Sequence, residues 1–187
     1  GFTIPGRNAR GRVARIENVL ADVLSAHAYP PAIERLLAEA LVMTALLGAM
    51  LKDAGGQLTL QAQAQGGVVS LLVCDYKDGA LRGYAQFDAE RLTGLSQTAT
   101  LKDLMGEGYL AITFDQVVSG ERYQGIVPLD QESLATAAEH YFSQSEQIPS
   151  LVRIAIDLED GLPARAAGLL IPHLPEGEEG RERLHTQ

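Results

Sequence analysis

The sequence predicts an α+β fold, with layered β-sheets packed around a buried central helix and additional helices. Three observations lead there. Residues 40–51 carry no charge and lie inside a longer helical pattern, and a helix that is apolar all round must be enclosed on all sides. Runs such as Leu58–Ala64 and Tyr109–Asp115 alternate apolar with polar residues, the period of a half-buried strand. Of 187 residues, 46% are hydrophobic but only 5% aromatic, with no Trp, so the core is aliphatic. The length suits one domain, or one domain and a tail.

The elements follow in order. Arg10–Ile16 reads as a short strand. Val19, Leu20, Val23 and Leu24 then share a helical face, with Asn18 as N-cap. Tyr29-Pro30-Pro31 breaks the chain. A second helix is expected over Ala32–Leu51. Its first half turns Glu34, Arg35 and Glu39 outward, and its second half is the uncharged stretch. After Asp53-Ala54-Gly55-Gly56 strands dominate. Leu58–Ala64 is half-buried, and Val68–Cys74, almost continuously apolar, is an inner strand. Lys77-Asp78-Gly79 is a hairpin turn whose glycine supplies positive φ, and Leu81–Phe87 returns. Residues 88–106 read as loop with a short helical turn. Tyr109–Asp115, a turn at Ser119-Gly120-Glu121, and Arg122–Val127 form the next hairpin. Asp130 is expected to cap a helix whose Leu134, Ala138, Tyr141 and Phe142 share a face, ending before Pro149. Val152, Ile154 and Ile156 alternate in a strand, Asp160-Gly161 turns, and Ala164–Ile171 closes the set. From Pro172 the composition shifts to Pro, Gly and Glu, as in a linker or tail. The predicted organisation is a core over 1–172 and the start of a linker or tail over 173–187.

Charge and cysteine narrow the function. The net charge is −9, which repels nucleic acid and anionic membranes. Residues 1–15 run the other way, with Arg7, Arg10, Arg12 and Arg15 and no acid. Exposed arginines of this kind keep an edge strand soluble, and they also suit pairing with an acidic body or a second subunit. A lone cysteine, Cys74, excludes an internal disulfide and a Cys-rich zinc site, and it fits a reducing, cytoplasmic setting. No apolar run is long enough to span a membrane. The start at Gly1 shows no signal peptide and, lacking Met, suits a trimmed chain.

Catalytic motifs are missing. There is neither a phosphate loop nor a GxGxxG after a strand, and Gly106-Glu107-Gly108 precedes a strand instead of a helix. His27, His140, His173 and His185 have no ligand spacing. Cys74 closes an apolar strand, where a buried thiol is inert. Asp75, Asp78, Asp88 and Glu90 cluster at turns, where solvated charge is the ordinary state. Gly94–Thr98 lacks the last glycine of a nucleophile elbow.

Two segments stand out as markers: GERYQG (Gly120–Gly125) and YFSQSEQIP (Tyr141–Pro149). With them go Arg10-Gly11, AEALVMTALLGAMLK (Ala38–Lys52), Arg82-Gly83, Leu101–Leu104 with Gly106–Tyr109, and Asp160-Gly161. In this order they resemble the N-terminal core of the redox-regulated 33-kilodalton heat-shock chaperone family (33 kDa chaperonin). The resemblance implies an α+β core that holds unfolded clients on apolar surface without ATP and without catalysis. It also implies a separate domain in which four cysteines hold one zinc; oxidation there releases the metal, unfolds the linker, uncovers client-binding surface and favours dimers. Loss of a structural zinc, worth on the order of 10 kcal/mol, is enough to melt a small domain. Cys74 matches none of those four cysteines, so no cofactor is expected in this chain. Unfolded client proteins are the expected partners, with a homodimer possible, and Leu169, Leu170, Ile171 and Leu174 are the candidate client-binding residues. Against this stand three other readings: those four residues complete the core, the chain is a homodimerising structural domain, or it is an enzyme with an unrecognised pocket.

Overall fold

The uncharged stretch is enclosed as its composition requires. It forms the second half of a helix, α2 (Pro31–Gly48), in which every residue from Ala40 to Gly48 except Ala45 is buried. Its one polar side chain, Thr44, donates to the Ala40 carbonyl at 2.7 Å, so no hydroxyl is stranded there. Pro31 opens the helix, where its missing N–H costs nothing and its fixed φ suits the first turn. The computed structural model describes residues 1–4, 9–51, 54–96, 99–159, 162 and 164–173; Leu174 and the Asp160-Gly161 turn lie outside them.

Two antiparallel sheets sandwich this helix. The larger is built from β3 (Gln57–Gly66), β4 (Val69–Lys77), β5 (Ala80–Phe87), β6 (Gly106–Asp115) and β7 (Arg122–Pro128), in the order β5-β4-β3-β6-β7. The smaller contains β1 (Phe2–Ile4), β2 (Ala9–Ile16), β8 (Ser150–Asp157) and β9 (Arg165–Pro172), in the order β1-β2-β9-β8. On one side α2 packs against β3, β4 and β5, and on the other against β2, β8 and β9. This is the α+β architecture expected, with the helix between the sheets. The flanks are closed by α1 (Asn18–Ser25) against β5 and β9, and by α4 (Leu134–Gln144) against β7 and β8. A short α3 (Leu101–Met105) covers one end of β3 and β6.

Alternation sets the faces. In β3, Leu58, Leu60, Ala62 and Ala64 point to α2 and are buried, while the glutamines between them face out. The β4–β5 hairpin turns on two residues, Asp78 (φ 49°) and Gly79 (φ 82°). Both have positive φ, as a two-residue turn matching the strand twist requires.

Four local expectations need correction. Asn18 is the first residue of α1 instead of its cap; Glu17 holds the cap position without a capping side-chain bond, because Arg15 Nε donates to its carboxylate at 2.8 Å. The second helix ends at Gly48, not Leu51: Met50 and Leu51 donate three residues back, to Leu47 and Gly48, so the chain has tightened into turns. Asp130 does not cap α4. Ser133 does, accepting from Thr136 N–H while Thr136 Oγ1 accepts from Ser133 N–H, a reciprocal pair that satisfies two terminal donors. Glu39 does not face solvent; it is half-buried and accepts from Ala135 N–H, in the first turn of α4, at 3.1 Å.

The two marker segments meet in space. A side chain on Gly125 in β7 would run into the ring of Tyr141 on α4. Tyr141 is fully buried there, and its hydroxyl donates to Glu146 Oε1 at 3.0 Å. A glycine in one segment and a phenol and carboxylate in the other thus dock α4 onto the edge of the large sheet. Their role in the fold is to pack two elements together.

Candidate functional site

The small sheet has two unlike faces. Ile16, Val152, Ala166 and Leu170 point to α2 and are buried. Gly168 meets Val42 and Leu46 so closely that no side chain fits. Leu170, at 2% exposed, belongs to this inner face, so it completes the core and offers nothing to solvent in this state.

The register places Val13 beside Leu169, Leu169 beside Arg153, and Ile171 beside Leu151, all on the outer face because side chains alternate. Phe2 lies across Gly11, its ring occupying the space of a Gly11 side chain. Together Phe2, Val13, Leu169, Ile171 and Leu151 make a continuous apolar strip over four strands. Val13 is 61% exposed and Leu151 38%, while Leu169 and Ile171 are half-buried. Arg15 and Arg153 border the strip, paired with Glu17 and Glu139. Of the four sequence candidates, two therefore share an exposed face, one is core, and Leu174 is outside the described residues. Sequence reading missed Phe2, Val13 and Leu151, because arginines dominate β2 and drew attention to charge. The signal was present: Val13 alternates with Arg12 and Ala14, opposite in parity to the core residue Ile16.

Chemistry remains sparse elsewhere. Cys74 is fully buried, and burial pushes its thiol pKa up, which disfavours a thiolate nucleophile. Among the described residues no group of His, Cys, Asp and Glu is placed to hold a metal. The zinc that the resemblance implies needs four cysteines, and this chain has one; its residues do not fit that metal. Burial raises the carboxyl pKa of Glu39 above the usual range, partly offset by the Ala135 and Leu134 N–H groups. Burial and Glu146 raise the phenol pKa of Tyr141. Both residues bind elements together instead of lining a cleft. No described helix is long and apolar enough to cross a membrane.

The family model described as Hsp33 protein matches residues 1–187. The chain belongs to the Hsp33 family. Two relatives, each named 33 kDa chaperonin, show how this Hsp33-family chain compares with whole proteins. That of Caulobacter vibrioides (strain NA1000 / CB15N) is 42% identical over 177 residues, covering 91% of this chain and 58% of the relative. That of Shewanella sediminis is 38% identical over 187 residues, covering 100% of this chain and 62% of the relative. The chain thus spans about three-fifths of these relatives. The crystal structure of the 33 kDa chaperonin from Thermotoga maritima matches with a TM-score of 0.76 at 22% identity, over 99% of this chain and 63% of that one. At that identity the likeness speaks for the Hsp33 fold.

Proposed function

We propose that this chain is the core of an ATP-independent holdase, which binds unfolded polypeptides and keeps them from aggregating. The observation that carries this reading is the apolar outer strip of the small sheet, Phe2, Val13, Leu169, Ile171 and Leu151. Contiguous exposed apolar surface of this kind marks an interaction site, and each such side chain buried by a client contributes about 1.5–3 kcal/mol. A few contacts then give reversible capture without nucleotide. The names of the relatives, 33 kDa chaperonin, support the same reading. Redox control, a cytoplasmic setting and dimerisation go with it as further parts of the proposal. Zinc chemistry is assigned to a cysteine domain other than this core.

The test is light scattering of a heat-denatured client with and without this chain. Val13→Asp and Leu169→Ser are expected to weaken protection several-fold while leaving the melting temperature close to that of the unaltered chain, because neither residue is core. Unchanged protection by both variants would sink the assignment of this face. Cys74→Ser separates the enzyme reading: it would abolish a thiol enzyme and leaves holdase activity intact.

A further inference from the structure

Among the described residues the small sheet ends on β8, and one detail of that edge is unusual. Glu139, on α4, accepts a hydrogen bond from the backbone N–H of Val152 at 2.8 Å. The same carboxylate oxygen pairs with Arg153 at 2.7 Å. Arg153 in turn donates from its guanidinium to the Val152 carbonyl at 2.7 Å. One ion pair therefore satisfies both backbone groups of one residue on an edge strand, the two bonds that a neighbouring strand would supply.

The register extends this to the rest of the strand. Val152 faces Leu170 as a pair whose backbone groups point away from β9, since its N–H is taken by Glu139. Just beyond the Ser150–Pro172 end of the ladder the pattern agrees: His173 N–H donates to the Pro149 carbonyl at 2.7 Å, which puts odd-numbered residues of this segment on the β9 side. Ile154 and Ile156 then present their N–H and C=O groups to the open side, as Val152 does. Edges of this kind are templates for another strand unless they are blocked. The block here is a side-chain pair, the Glu139 carboxylate reaching from α4 and the Arg153 guanidinium of β8 itself, 29% and 63% exposed.

We propose that the free edge of β8 is a strand-addition site for an extended segment of an unfolded polypeptide, gated by the Glu139–Arg153 pair. This rests on the holdase reading and gives it a recognition mode. Main-chain hydrogen bonds from Val152, Ile154 and Ile156 are blind to client sequence, which suits a protein that binds many chains. An added strand would also extend the apolar outer strip, because Leu151 on β8 already forms its border. Its outward side chains would continue the row Ile171–Leu151. The occupant is thus an uncharged, extended, alternating segment that gains backbone bonds at the edge and apolar contact on one face.

The test compares four forms: the unaltered chain, Glu139→Ala, Ile154→Pro, and the double variant. Ile154→Pro removes an outward N–H without taking a bond from the β9 ladder, and thermal melts establish that each form is folded. The probe is a short fluorescein-labelled peptide of alternating Val and Thr, with a ¹³C-labelled carbonyl. Withdrawing the gate by Glu139→Ala is expected to tighten binding roughly fivefold or more and to move the labelled amide I band to its β-sheet position. Adding Ile154→Pro to that variant is expected to cancel both effects. Unchanged affinity in Glu139→Ala, a coil-like labelled band, or binding that survives Ile154→Pro would overturn the proposal. So would a gain that appears only as concentration-dependent self-association in sedimentation, which would make the occupant a second copy of this chain. Client light scattering run in parallel separates the two readings. Protection that persists with no edge effect refutes strand addition alone. Peptide pairing without protection refutes the holdase reading alone.

Discussion

Glu39 shows how one buried carboxylate shapes both packing and pH response. It reaches from α2 to the Ala135 N–H in the first turn of α4, where a negative charge is favoured by the helix dipole. Desolvation still outweighs that benefit and raises its pKa. A raised carboxyl pKa means that the native state keeps a proton the unfolded chain has lost. The stability contributed is complete below the unfolded pKa and is lost as pH rises through the folded one. Glu39→Gln is therefore expected to flatten the pH dependence of unfolding from the ordinary carboxylate range upward, and to be no less stable than the native chain at neutral pH. Glu39→Ala leaves the Ala135 N–H without its acceptor and is expected to fall about 1–2 kcal/mol below the Gln variant, as read by urea unfolding at a series of pH values. Cys74 gives a second outcome at this scale. Fully buried in β4, with its pKa raised, it is expected to resist iodoacetamide in the folded chain and to react at once in denaturant; equal rates in both would show the thiol to be accessible.

At the scale of elements, α4 is the joint between the two sheets. It touches β7 in one and β8 in the other, is capped by Ser133, and is packed against Gly125 through Tyr141. Ser133→Ala removes the N–H partner of the first turn and is expected to cost about 1 kcal/mol. Gly125→Ala forces a methyl into the Tyr141 ring and is expected to cost about 1–3 kcal/mol, measured by chemical denaturation. The elements were legible from sequence wherever a period was clean. Leu58–Ala64 and Val152–Ile156 alternate without interruption, and the uncharged half of α2 admits only an enclosed helix. Ends were less legible. Helix caps depend on which side chain wins a local competition, as when Arg15 diverts Glu17 or Thr136 secures Ser133 ahead of Asp130. The outer strip was half legible: Leu169 and Ile171 follow from their strand, but their neighbours Val13 and Leu151 come from strands far apart in sequence, and only the register joins them.

For the molecule as a whole, two faces of one small sheet divide the labour. The inner face holds the core around α2, and the outer face carries the apolar strip proposed to bind clients. Because the cysteines of a zinc switch are lacking, treatment with peroxide is expected to leave the client protection given by this chain unchanged. An increase in protection after peroxide in light scattering would contradict that expectation and point to an oxidation-sensitive group in the chain itself.

The place of β9 has a consequence for how the chain comes into being. Among the described residues it is the last strand in sequence, yet it lies between β2 and β8 and pairs Ile16 with Ala166. During synthesis β2 emerges early and has no partner on that side until nearly all the described chain has left the ribosome. The large sheet, whose strands are all made by Pro128, is free to assemble first. The small sheet must close late, through contacts of very high sequence separation, which form slowly. The apolar outer strip, which draws on β1, β2, β9 and β8, is therefore incomplete until β9 joins.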